Sequence, residues 1–171
     1  MGENREWRWQ FCAFESAEEG RPVQAWFDNL PSDIKDEICD LLAYLEKVTS
    51  SQWRKPEFDP LEGEEGISEV RPTTIQLEVN GEFVIFTCRL YGFFGPLERT
   101  YCFLHGGRKE KRNDRYGKRI AKRRLEEIIS GRARIHQFEF KTEPPPKTSE
   151  RAGGAGPLRG ITHKQGPGLP N

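Results

Sequence analysis

The sequence has few cysteines and none of them paired, no long apolar run, and no net charge. The four cysteines, Cys12, Cys39, Cys88 and Cys102, form no CxxC spacing. That argues against a zinc site and for reduced, buried thiols of the kind found in a reducing compartment. No apolar stretch approaches the length of a membrane span. The N-terminal MGENREWRWQF lacks the apolar centre of a signal peptide, and Met1-Gly2 is followed at position six by Glu6 where a myristoylation site needs Ser or Thr. These absences predict a cytoplasmic protein with no membrane partner. There is no internal repeat. At 35% hydrophobic and 32% charged residues, the chain is polar for a folded domain. Eleven Phe, four Trp and four Tyr still supply enough area for a small core.

The absence of net charge conceals a split. Lys and Arg number 27, as do Asp and Glu. Yet between His105 and Arg134 stand Arg108, Lys109, Lys111, Arg112, Arg115, Lys118, Arg119, Lys122, Arg123, Arg124, Arg132 and Arg134, against only Glu110, Asp114, Glu126 and Glu127. That stretch is strongly basic and the remainder equally acidic. Such a split bears on partners rather than on fold: it describes either a solvated helix face or a surface for a polyanion.

Read in order, the chain predicts an α+β fold with a disordered tail. Trp7–Phe14 alternates as a half-buried strand. Pro22 opens a short helix that Pro31 ends, and Ser32 caps a second, amphipathic helix over 33–48, with Ile34, Ile38, Leu41, Leu42, Leu45 and Val48 at helical spacing. The two helices are expected to pair as a hairpin against one face of a sheet. A polar loop over 50–66 leads to a strand at 67–71. Asn80-Gly81 then marks a hairpin between 73–79 and 82–91, whose second arm, FVIFTCRLY, is apolar enough for a central strand. Gly92–Pro96 is expected as an aromatic loop, 99–105 as a strand broken by Gly106-Gly107, and 116–130 as a helix. That helix should bury Ile120, Ala121, Leu125, Ile128 and Ile129, with Gly131 after its end. Residues 135–140 read as an edge strand. A domain over 1–141 is followed by a Pro/Gly-rich segment, 142–171, that cannot bury a core.

Four local patterns sharpen this order of elements: VQAWFDNLP at 23–31, Leu61-Glu62-Gly63, Ile67-Ser68-Glu69-Val70-Arg71, and Phe103-Leu104-His105-Gly106 followed by cations and IAKRRLEE. Together they resemble the RelE/ParE toxin superfamily in its HigB-like, phage-type branch, over roughly residues 20–130. The resemblance implies a small twisted antiparallel sheet with an N-terminal helical hairpin and a basic C-terminal helix. It also implies a type II toxin–antitoxin toxin that cleaves mRNA on the ribosome without metal or cofactor. Its expected partners are the ribosome, mRNA and a cognate antitoxin of helix-turn-helix type.

A metal-free ribonuclease must deprotonate a 2′-OH, stabilise a pentavalent phosphate and protonate the leaving 5′-oxygen. The resemblance assigns Arg71, His105 and Lys109 to these tasks: a planar fork on the phosphate, an acid or base, and a further cation. Arg89, Arg108, Lys111, Arg112, Arg115, Tyr116, Lys118, Arg119 and Lys122 are candidate RNA contacts. The bland readings stand alongside. Arg71 would simply pair with Glu69 or Glu82, and the lysines would be solvated. Two departures matter. Phe83 occupies the position expected for a strand arginine, with Arg89 six residues on as a substitute, and Gly107 replaces the usual aromatic. A gyrase inhibitor of ParE type, or a decayed toxin that binds without turnover, therefore remain as alternatives.

Overall fold

The computed structural model describes residues 8–109 and 113–140. Lys111, Arg112, the expected strand start at Trp7 and the segment 142–171 lie outside the described residues. Strands β1 (Gln10–Glu15), β2 (Phe58–Pro60), β3 (Ser68–Val70), β4 (Ile75–Val79), β5 (Glu82–Phe86), β6 (Cys88–Phe94), β7 (Thr100–Arg108) and β8 (Arg134–Gln137) are joined by helices α1 (Pro22–Asp28), α2 (Ser32–Lys47) and α3 (Arg115–Ile129). Six strands form one sheet in the order β2-β3-β6-β7-β1-β8. Within it β1 runs parallel to β7, and every other pairing is antiparallel. The fold is α+β, with helices on both faces of a mostly antiparallel sheet.

Alternation along the strands sorts side chains between two cores. Phe11, Ala13, Val70, Leu90, Tyr101 and Phe103 point to the face covered by α1 and α2, whose Val23, Phe27, Ile34, Ile38, Leu42 and Leu45 are buried there. Cys12, Tyr91, Phe93, Cys102 and Leu104 point to the opposite face, under Ala121 of α3. The first core is an aromatic network: Trp53 lies within 5.5 Å, centroid to centroid, of the rings of Trp9, Phe58, Phe94 and Tyr101. Tilted and edge-on pairs of this kind add to the stabilisation from area alone.

Helix ends follow local chemistry. Asp114 caps α3 by accepting from the Gly117 N–H at 2.9 Å. At the other end Gly131 takes φ +75°, and the N–H groups of Gly131 and Arg132 return to the carbonyls of Ile128 and Glu127. Ser32, expected as the cap of α2, lies inside that helix. The Pro31 carbonyl starts it, accepting from Ile34 and Lys35.

Several expectations are corrected. FVIFTCRLY is two strands, because the ladder breaks at Thr87. β5 pairs only with β4 in a separate ribbon around Asn80-Gly81, while β6 is central in the main sheet. Phe83 and Ile85 lie on the ribbon's outward face and are 70% and 65% exposed. Their apolar character therefore does not mark burial. Gly92–Phe94 continues β6 instead of looping, with Phe93 buried. Gly106 and Gly107 do not break β7, which runs on to Arg108. The 50–66 segment holds a 3-10 turn at Ser50–Gln52 and the strand β2. Ile129 is 74% exposed, and the position buried instead is Arg124.

Candidate functional site

The β6–β7 pairing places the site. Gly92 opposes Phe103, but Tyr91 opposes His105, so one extra residue, Leu104, is accommodated in β7. Such a bulge turns the following side chains to the other face. Leu104 already points towards α3, and the shift lets His105 point there too, in parallel with the Tyr91 ring at 6.2 Å and edge-on to Tyr116 at 6.4 Å. Gly106 consequently faces α1, where any Cβ would lie 2.3 Å from Trp26. A glycine is required at that position by close approach and not by backbone conformation.

Across three strands, Glu69, Tyr91 and His105 form one row. One step along, Arg89 opposes Gly107, and Arg71 follows β3 directly. Glu69 is 4% exposed. It accepts from Arg71 Nε at 2.7 Å and also from Arg71 Nη2, while Arg89 Nε lies 3.5 Å from its other oxygen. Asp59 on β2 takes a further bond from Arg71 Nη2. Burial alone would lower Arg71's affinity for its proton, but the bonds to Glu69 and the nearby Asp59 more than reverse this. The pairing expected with Glu69 is present; Glu82 is on the ribbon. Arg71 thus spends Nε and Nη2 on carboxylates, which qualifies its expected role as a free phosphate fork.

Arg89 is the better-placed cation. Its Nη1 donates to the Cys88 carbonyl at 2.8 Å, and its buried Nε, ion-paired with Glu69, makes no hydrogen bond among the described residues. Phe83 belongs to the ribbon, whereas Arg89 is on β6 of the main sheet. The two are not on one strand face, because the break at Thr87 separates them.

Lys109 is anchored through its N–H to the Thr87 carbonyl at 2.7 Å. It is half-buried, and among the described residues its ammonium makes no ion pair. Burial, then the charge of Arg89, with smaller contributions from Arg71 and Lys118, hold its affinity for a proton below that of an ordinary lysine. His105 is pushed down to about 4, chiefly by burial and then by Arg124. At neutral pH its imidazole is therefore uncharged and accepts rather than donates a proton.

Arg71, Arg89 and His105 thus stand on, or directly after, three neighbouring strands, with Lys109 just past β7 and Tyr116 of α3 against His105. Arg115, Tyr116, Arg119 and Lys122 are exposed on that helix, and Lys118 is half-exposed. Arg108 lies apart: it covers the Phe86 ring at 4.9 Å and donates to the Ile85 carbonyl. Its role is to tie down the ribbon. Glu69 as the organising carboxylate, Tyr91 and Asp114 were missed. Tyr91 donates to Asp114 at 3.1 Å, which links the row to the helix cap. Only Asp114, three residues before a glycine at a helix start, carried a local signal.

Among the described residues no cluster of His, Cys, Asp and Glu is arranged to hold a metal ion, and no helix is long and apolar enough to cross a membrane. Compared with protein-family models, with curated proteins and with solved structures, the chain gives no significant match.

Proposed function

We propose that this chain is a metal-independent endoribonuclease that cuts mRNA on the ribosome, the toxin of a type II toxin–antitoxin pair acting in the cytoplasm. The observation that carries the reading is the convergence of Arg71, Arg89 and Lys109 around the buried Glu69, beside His105 and at the foot of a cationic helix. In this reaction the 2′-oxygen bonds to phosphorus as the bond from phosphorus to the 5′-oxygen breaks. His105, neutral at pH 7, takes the 2′-OH proton. Lys109, close to Arg89 and partly desolvated, gives up its proton to the 5′-oxygen. Arg89 neutralises the phosphorane, while Glu69 and Arg71 hold it in place. The products are a 2′,3′-cyclic phosphate and a 5′-hydroxyl.

Arg89 on β6 beside Glu69 supports the nuclease reading over gyrase inhibition, for which an absent strand arginine would speak. Inducible expression in a bacterial host, with transcript 5′ ends mapped minutes later, tests the reading. New cuts at ribosome-occupied codons, absent in His105→Ala and Lys109→Ala, are expected. Growth arrest without new cuts would redirect it to gyrase, and no arrest would leave a binding module.

A further inference from the structure

Beside the site, the β2–β3 loop and α3 form the two walls of an open groove of about 400 Å³. One wall is acidic, with Glu62 and Glu64. The other is basic, with Arg115, Lys118, Arg119 and Lys122. An ion pair between exposed side chains across such a groove would contribute under about 1 kcal/mol and would leave it open to a competing ligand. Among the described residues these six form none. Lys118, which lines the groove, is near enough to Lys109 for its charge to be felt there.

A ligand that fills such a gap must be anionic on one side and rich in N–H donors on the other. Nucleotides have that polarity. Phosphates match the α3 wall, where guanidinium and ammonium groups are spaced along one helix face. Carboxylates are acceptors only, so the loop wall selects bases by their donor edge. Guanine offers two adjacent N–H donors on its Watson–Crick edge, which one carboxylate accepts together, whereas uracil offers one donor flanked by carbonyls that a carboxylate repels. Single-stranded RNA is the form in which that edge is free.

We propose that this groove is a base-selecting subsite for single-stranded RNA that places guanine against Glu62 and Glu64 and its flanking phosphates against α3. The proposal rests on the ribonuclease reading and names the substrate feature that positions RNA for the site.

The test compares the full chain with a Glu62→Gln/Glu64→Gln variant in binding 2′-O-methylated RNA pentamers, which cannot be cut, of either guanine-containing or all-uracil sequence. Removing two negative charges raises affinity for any polyanion if the loop acts only through its field. The proposal predicts opposite signs: the all-uracil oligomer binds the variant several-fold tighter, and the guanine-containing oligomer binds it about tenfold weaker. A rise for both oligomers overturns the subsite and leaves the nuclease reading standing. Absence of salt-dependent binding to either oligomer by the unmodified chain also overturns the subsite, and the mapping of transcript ends on the ribosome decides the ribonuclease reading separately.

Discussion

His105 couples the site to the stability of the fold. Burial, and then the charge of Arg124, push it down to about 4 from 6.5. In the unfolded chain the imidazole takes up its proton near 6.5, so between pH 6.5 and 4 the unfolded state binds more protons. Stability is therefore intact above that window and declines as pH falls through it, by up to roughly 3 kcal/mol for a shift of this size. His136 is lowered too, by burial in the first place, and contributes a slope of the same sign. The informative quantity is thus the difference between proteins. Urea unfolding from pH 7 to pH 4 is expected to show a shallower loss in His105→Asn than in the unmodified chain. Equal slopes would mean that His105 is not held neutral by its surroundings. The proposed division of roles, with His105 as base and Lys109 as acid, is the one consistent with a neutral His105 at pH 7.

At the scale of elements, α3 is fastened by a residue that its charge pattern disguises. Arg124 is 6% exposed, donates to the Leu104 carbonyl at 2.8 Å and to Glu19 at 2.6 Å, and lies over the Phe14 ring. It is a structural cation within a run of surface cations. Glu19→Ala would leave that guanidinium buried and unpaired, and is expected to cost about 3 kcal/mol in denaturant unfolding. The exposed i,i+4 pair of Arg123 with Glu127 is expected to matter by less than about 1 kcal/mol. A Glu19→Ala cost that small would remove Arg124 as the anchor.

The elements also divide what was legible in the sequence from what was not. Helical spacing in 33–48, alternation in β1 and the Asn80-Gly81 turn are local signals, and each element is where its pattern places it. The break at Thr87 and the bulge at Leu104 depend on which strands pair, which alternation within one strand does not encode. Reading 82–91 as a single strand puts Phe83 and Arg89 on one face, and the ladder separates them onto two sheets. Gly106-Gly107 read as a break because glycine weakens strands. Gly106 is tolerated in β7 because Trp26 fills the space its side chain would take. His105 and Lys109 were found as residue types in a motif. Glu69, Tyr91 and Asp114 connect them only through pairing and helix docking.

Across the whole molecule, the neutral sum of charges becomes a spatial arrangement. The acidic loop and the basic helix face each other across an open groove, and Arg71 and Arg89 gather around Glu69 on the sheet. The two hydrophobic cores account for both faces of the sheet. The outward face of the β4–β5 ribbon, with Phe83 and Ile85, lies on a separate sheet. This separation supplies an internal control. The most direct measurement is single-turnover cleavage of mRNA on programmed ribosomes by the purified chain, with Arg89→Ala and Phe83→Ala beside it. The account predicts 2′,3′-cyclic phosphate ends, a rate lowered about 100-fold or more in Arg89→Ala, and a rate near that of the unmodified chain in Phe83→Ala. Cleavage by Arg89→Ala at the unmodified rate, or no cleavage by any of the three, would contradict it.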